Sequence, residues 1–176
     1  MENLKTLPRA SKSRGLIMNN LHINIKPEWD ELKNVMSAVS DFLLPFNLSN
    51  DIIHAMVMVS NELAGNAVKY GYFQNEAKIS LDLSINKTHI TIEVRNPIHE
   101  SNEYHLQKLD KTIQWIRGYQ DSFEAYTMKL KELAKSDLNC DESGLGLVRI
   151  AYEGESIIDF FVDENNIIAV SAIFSL

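Results

Sequence analysis

Cysteine is almost missing from this chain. Cys140 is the only one, which rules out an intramolecular disulfide and any multi-cysteine zinc site, and nothing calls for an oxidising compartment. Long apolar runs are missing too. Nowhere do about eighteen apolar residues follow one another, the length a membrane helix needs, and the first residues lack the apolar block of a signal peptide. Basic residues are scarce and scattered: 17 Lys and Arg stand against 24 Asp and Glu, a formal charge of -7. A nucleic acid is therefore excluded as the main partner, because phosphate backbones need clustered cations. These absences predict a soluble cytoplasmic protein, with no membrane and no nucleic acid among its partners.

What is present is enough apolar side chain, 45% of 176 residues, to fill the core of one domain. The segment 1–20, with Lys5, Arg9, Lys12 and Arg14 among Ser and Pro, reads as a basic, partly ordered tail. The rest, 21–176, reads as a single domain. "LHINIK" alternates Leu21, Ile23 and Ile25 and predicts a strand. Pro27 then opens a helix whose apolar residues recur at helical steps up to Pro45, with Glu28, Asp30 and Glu31 in the first turn. A second helix is expected from Ser49, as N-cap, to Tyr70, stopped by Gly71. "KISLDLSI" and "HITIEVRN" read as strands of a hairpin turned at "NKT".

Segment 98–140 is polar and carries apolar residues at helical steps, so it predicts a helical insert of two helices broken near Gly118. Another helix should follow "SGLG", and the strands "SIIDFFVD" and "NIIAVSAIF" close the chain. Paired strands with helices segregated between them predict an α+β fold, a two-layer sandwich on a mixed, largely antiparallel sheet.

The stretch "SNELAGNAVKYGY" carries the first candidate chemistry. At about 100° per residue, Glu62, Asn66 and Lys69 fall within roughly 60° of one another on the second helix. The flanking positions are largely apolar. On composition alone the three make a solvated helix face. The spacing also suits a site: the Asn66 amide oxygen is a hard ligand fit for Mg²⁺, the Glu62 carboxylate one turn earlier can orient a hydroxyl for attack on a phosphoryl group, and Lys69 would face the same charge. A second cluster, "SGLGLVRIA", sets Gly144 and Gly146 at a helix start, where free N–H groups attract an anion. A GxG at such a junction is by itself a common tight turn.

Together the two stretches resemble the ATPase fold of gyrase-type ATPases, Hsp90-type chaperones and histidine kinases, the GHKL or Bergerat superfamily. "NELAGNAVKY" is similar to its N-box and "GLGL" to its second glycine box. The order of strands and helices over 21–176 is compatible. "RNPI", then a helical insert, then "GLGL" looks like the stand-alone branch of anti-sigma-factor serine kinases and SiaB-like kinases of bacterial partner-switching pathways. The insert stands in place of a glycine-rich lid.

The resemblance implies a histidine-kinase-like ATPase domain that binds ATP and Mg²⁺ and phosphorylates a small regulatory protein, STAS-domain or SiaC-like; a homodimer is compatible with it. Carried over by position, Glu62 is the general base and Asn66 the Mg²⁺ ligand. Lys69, Asn96 and the run Ser143, Gly144, Leu145, Gly146 and Leu147 hold the nucleotide. Two departures go with it. Asn96 and Pro97 stand where most of the superfamily has an aspartate for the adenine amino group, and Asp141 and Glu142 replace lid glycines. They keep open the alternative of a catalytically degenerate member that sequesters a partner through 98–140 without ATP turnover. His54 and His89 lack partners at metal spacing and read as structural, while Trp115, Phe123 and Tyr126 either cap the insert onto the domain or form a partner patch.

Overall fold

A computed structural model describes residues 19–74, 77–135 and 144–176. Five strands form one sheet: β1 (Asn19–Ile25), β2 (Ile79–Ile85), β3 (His89–Pro97), β4 (Ser156–Val162) and β5 (Ile167–Ser175), in the order β1-β2-β3-β5-β4. Every pairing is antiparallel, so the sheet is not mixed as the sequence suggested. The reason is topological. β3 crosses over through helices to β4, and the two run parallel, but β5 inserts between them and pairs antiparallel with both. The turn between β2 and β3 is local: Asn86 Oδ1 accepts from the Thr88 and His89 N–H groups at 2.8 and 3.0 Å and reverses the chain.

The alternation of each strand sends one set of side chains toward the helices. Ile79, Leu81, Leu83 and Ile85 on β2 and Ile90, Ile92 and Val94 on β3 are all buried. Polar partners occupy the other face, as in the cross-strand contact of His22 Nδ1 with Asp82 Oδ1 at 2.7 Å.

The helices lie on the apolar face. A 3-10 turn (Trp29–Glu31) leads into α1 (Leu32–Leu43), and Pro45 sits in a second 3-10 turn (Leu44–Phe46) rather than simply ending the helix. α2 (Asn50–Tyr70) starts where the Ile52 N–H donates to Ser49 Oγ at 3.3 Å. It ends at Gly71, where a side chain would run into the Phe73 ring and the Ala67 carbonyl. Ile53, Met56, Val59, Leu63, Ala64 and Ala67 bury its inner face, a contribution of about 2–5 kcal/mol for each large side chain when truncated to Ala.

Beyond β3 come α3 (Glu103–Arg117) and α4 (Ser122–Leu133), joined through Gly118, and then α5 (Leu145–Tyr152). α4 is capped by Asp121 Oδ1, which accepts from the Phe123 N–H at 2.9 Å. β1 begins two residues before the alternation at Leu21. The tail 1–18, Cys140, Asp141, Glu142 and Ser143 lie outside the described residues. Among the described residues, no helix is long and apolar enough to cross a membrane.

Candidate functional site

A cleft enclosing about 790 Å³, its mouth included, runs between α2, α3 and the sheet. Asn66 from α2, Asn96 from β3 and Leu147 from α5 all line it, three residues from three distant parts of the chain. Most of the remaining wall is apolar, with Leu63, Ala67, Val94, Ile98, Leu106, Leu109, Ile168 and Val170. Such a wall suits a flat aromatic ring, with a few polar groups to fix its orientation.

Asn96 is the least expected of those polar groups. It continues the inward register of Ile90, Ile92 and Val94, so the strand's own alternation drives an amide into the core, where it is only 5% exposed. Its Nδ2 donates to the Pro97 carbonyl at 3.0 Å, which fixes which way the amide points. Among the described residues the amide oxygen accepts no hydrogen bond, and Asn96 lines the cleft. An acceptor held this way takes an N–H from a ligand.

Glu62 lies beside the cleft, on the α5 side. Its Oε1 accepts from Arg149 Nη1 at 2.7 Å, while a Cβ built on Gly146 would stand 2.5 Å from its Oε2. The second glycine of "GLGL" therefore makes room for the glutamate. Arg149 also donates to Glu153, Nε to Oε1 and Nη2 to Oε2, both at 3.0 Å. Hydrogen bonding to Glu153 first, and then the nearby negative charges, hold the Arg149 guanidinium above its ordinary range. The same bond, against some opposing desolvation, draws the Glu153 carboxyl below the usual glutamate value.

Gly144 is the N-cap of α5 and has φ 65°, a left-handed conformation that glycine adopts without strain. Leu145 opens the helix behind it. Lys69 is placed differently from its helix neighbours. It is exposed, does not line the cleft, and holds its ammonium 5.2 Å from the centre of the Tyr70 ring.

Several residues of the site were not singled out from sequence. Arg149 and Glu153 are one turn apart on α5, a spacing readable in the chain, but nothing local links Arg149 to Glu62, 87 residues earlier. Lys129 of α4 approaches Gly144, with Cε 3.5 Å from where its Cβ would be, and pairs with Glu132 at 3.0 Å. From α3, Asn102, His105, Lys108 and Thr112 reach the cleft, and Asn102 Nδ2 ties that helix to the Tyr70 carbonyl at 3.3 Å. Tyr126 and Phe123 pack against Tyr152, with ring centres 5.0 and 5.3 Å away, so these aromatics do cap α4 onto α5.

No protein-family model matches the chain, and no curated protein matches it. Among solved structures it is similar to a chain of the crystal structure of the SiaB-SiaC complex from Pseudomonas aeruginosa. The TM-score is 0.68 and the identity 20%, over 88% of each chain. The likeness is one of fold.

Proposed function

We propose that the protein is a Mg-ATP-dependent protein serine/threonine kinase that phosphorylates and binds a small regulatory protein, in a bacterial partner-switching pathway. The observation that carries this reading is Asn96, a nearly buried amide whose oxygen accepts no hydrogen bond among the described residues, at the wall of a cleft that Asn66 also lines. That acceptor suits the amino group of adenine, and the apolar wall suits its ring. Asn66 would supply an amide oxygen to Mg²⁺, which needs few protein ligands because water and phosphate oxygens complete its shell. When bound, the ion neutralises phosphate charge. Gly144 and the first N–H groups of α5 would receive the phosphates, and Glu62 would take the proton of a partner hydroxyl.

The fold similarity to a chain crystallised as a SiaB-SiaC complex supports a small protein, SiaC-like or with a STAS domain, as substrate and binding partner. The alternative is a binding module without turnover. The Glu62–Arg149 ion pair favours it, because the carboxylate already has a cationic partner.

Thermal melting with Mg-ATP, followed by transfer from γ-labelled ATP to a candidate partner, separates the two. The kinase reading requires an Mg-dependent rise in melting temperature and label on the partner, both lost in Asn66→Ala and the label lost in Glu62→Ala. Partner binding with no nucleotide-dependent shift establishes the module instead.

A further inference from the structure

Glu62 is held by a relay that ends on another helix. Its Oε1 accepts from Arg149 Nη1, and the remaining edge of that guanidinium is fixed by two parallel bonds to Glu153. A planar fork gripped along one edge by a carboxylate loses its freedom to rotate, so the Nη1 donor points in a set direction. The Tyr126 hydroxyl of α4 lies near enough to the Glu153 carboxylate to help lower its pKa, and the Tyr126 ring rests on Tyr152, next to Glu153. The chain of contacts therefore runs from α4 through Tyr126, Glu153 and Arg149 to Glu62 on α2.

We propose that Arg149 is a positioning residue for Glu62, and that through Glu153 and Tyr126 it makes the orientation of Glu62 depend on the docking of α4 against α5. This rests on the reading of Glu62 as proton acceptor. Two features set the arrangement apart from an ordinary surface ion pair. The Arg149 and Glu62 side chains are only 34% and 21% exposed, where a surface pair would be mostly solvated. The carboxylate is also confined from a second direction, since its Oε2 occupies the space that Gly146 leaves by having no Cβ. With one oxygen tied to Arg149 and the other against the first turn of α5, the carboxylate has one orientation while the relay is intact. Proton transfer is sensitive to misplacement of this kind, since the acceptor must lie within hydrogen-bond reach of the hydroxyl.

The relay predicts which kinetic constant moves. Tyr126→Phe and Glu153→Gln touch neither the cleft nor Glu62, so Mg-ATP affinity and the KM for ATP should stay within about twofold while kcat for transfer falls about fivefold to thirtyfold. Arg149→Ala should lose more, and Arg149→Lys should recover part of that loss. Unchanged kcat in both remote variants overturns the proposal, as does a loss confined to KM.

A second arm needs no activity. Melting temperatures of Glu62→Gln, Tyr126→Phe and the double variant are compared without ligand. The double variant should lose less than the sum of the two, because either change alone breaks the relay; additivity within about 1 °C overturns it. Coupled melting in a protein that transfers no phosphate leaves the relay standing and removes the kinase reading.

Discussion

Glu62 and Gly146 share one space: a Cβ on Gly146 would stand 2.5 Å from Glu62 Oε2. Gly146→Ala therefore has to push the carboxylate aside. The tip of a glutamate side chain can move, so the fold should survive with a loss of about 1 kcal/mol, at the low end for overpacking. Phosphoryl transfer should drop by more than about tenfold, because the displaced carboxylate leaves its hydroxyl. Melting and transfer assays on the same preparation check both halves; a variant with full transfer would show that the orientation of Glu62 does not matter.

Asn96 gives a test that separates the fold from the ligand. Its Nδ2 donates to the Pro97 carbonyl while the residue lines the cleft, an arrangement that an aspartate cannot reproduce because it has no N–H to give. Asn96→Asp should cost about 1–3 kcal/mol of stability without ligand, since a carboxylate would lie against a backbone carbonyl in a nearly buried position. Asn96→Leu fills the site but removes the acceptor, so the stabilisation by Mg-ATP should vanish while the fold remains. The wild type should also prefer ATP to GTP, because the 6-oxo group of guanine would present an acceptor to an acceptor. Equal melting shifts with the two nucleotides would refute this use of Asn96.

Asn66 bears on the cation. With saturating nucleotide at about 100 times its Kd, binding to the native state alone adds about 2.7 kcal/mol. For the wild type, that gain should require Mg²⁺ and disappear with EDTA. Asn66→Ala should give the same small response with or without Mg²⁺. A full Mg-dependent shift in Asn66→Ala would place the ion elsewhere.

The parts of this architecture that were legible from sequence are those set by neighbours in the chain. Ser49 and Gly71 bracket α2 because a cap and a tight end are local devices, and the two-residue period of "KISLDLSI" and "HITIEVRN" follows from the pleat itself. The insertion of β5 between β3 and β4 was not legible, since strand order is decided by packing between remote segments. The same holds within the site. Asn66 and Glu62 were visible one turn apart, and Gly146 was visible as a glycine, but the reason for that glycine is a carboxylate on a different helix. Arg149 looked like one more polar residue after "GLGL" until the fold brought it to Glu62. Lys69, chosen for sharing a stripe with Asn66, shows the converse. About 60° of helix rotation is enough to move a side chain from the cleft wall to solvent.

The Arg149–Glu153 pair makes a pH prediction whose sign follows from the direction of its shifts. Glu153 titrates below the ordinary glutamate value of 4.5 because Arg149 holds its charged form, so its contribution is present above the unfolded value and is lost as pH falls through the folded one. Arg149 moves upward from its ordinary value, so its contribution is complete across the acid and neutral range and does not change in the same window. The acid limb alone should report the pair. Both side chains are 34% exposed, and solvent screening limits the effect to about 1 kcal/mol or less. Glu153→Gln should therefore melt slightly below the wild type at pH 7, and the gap should close between about pH 5 and pH 3 as the wild-type carboxylate takes up its proton. A gap that stays constant across that range would mean that glutamine loses shape or packing at this position and that charge pairing contributes nothing measurable.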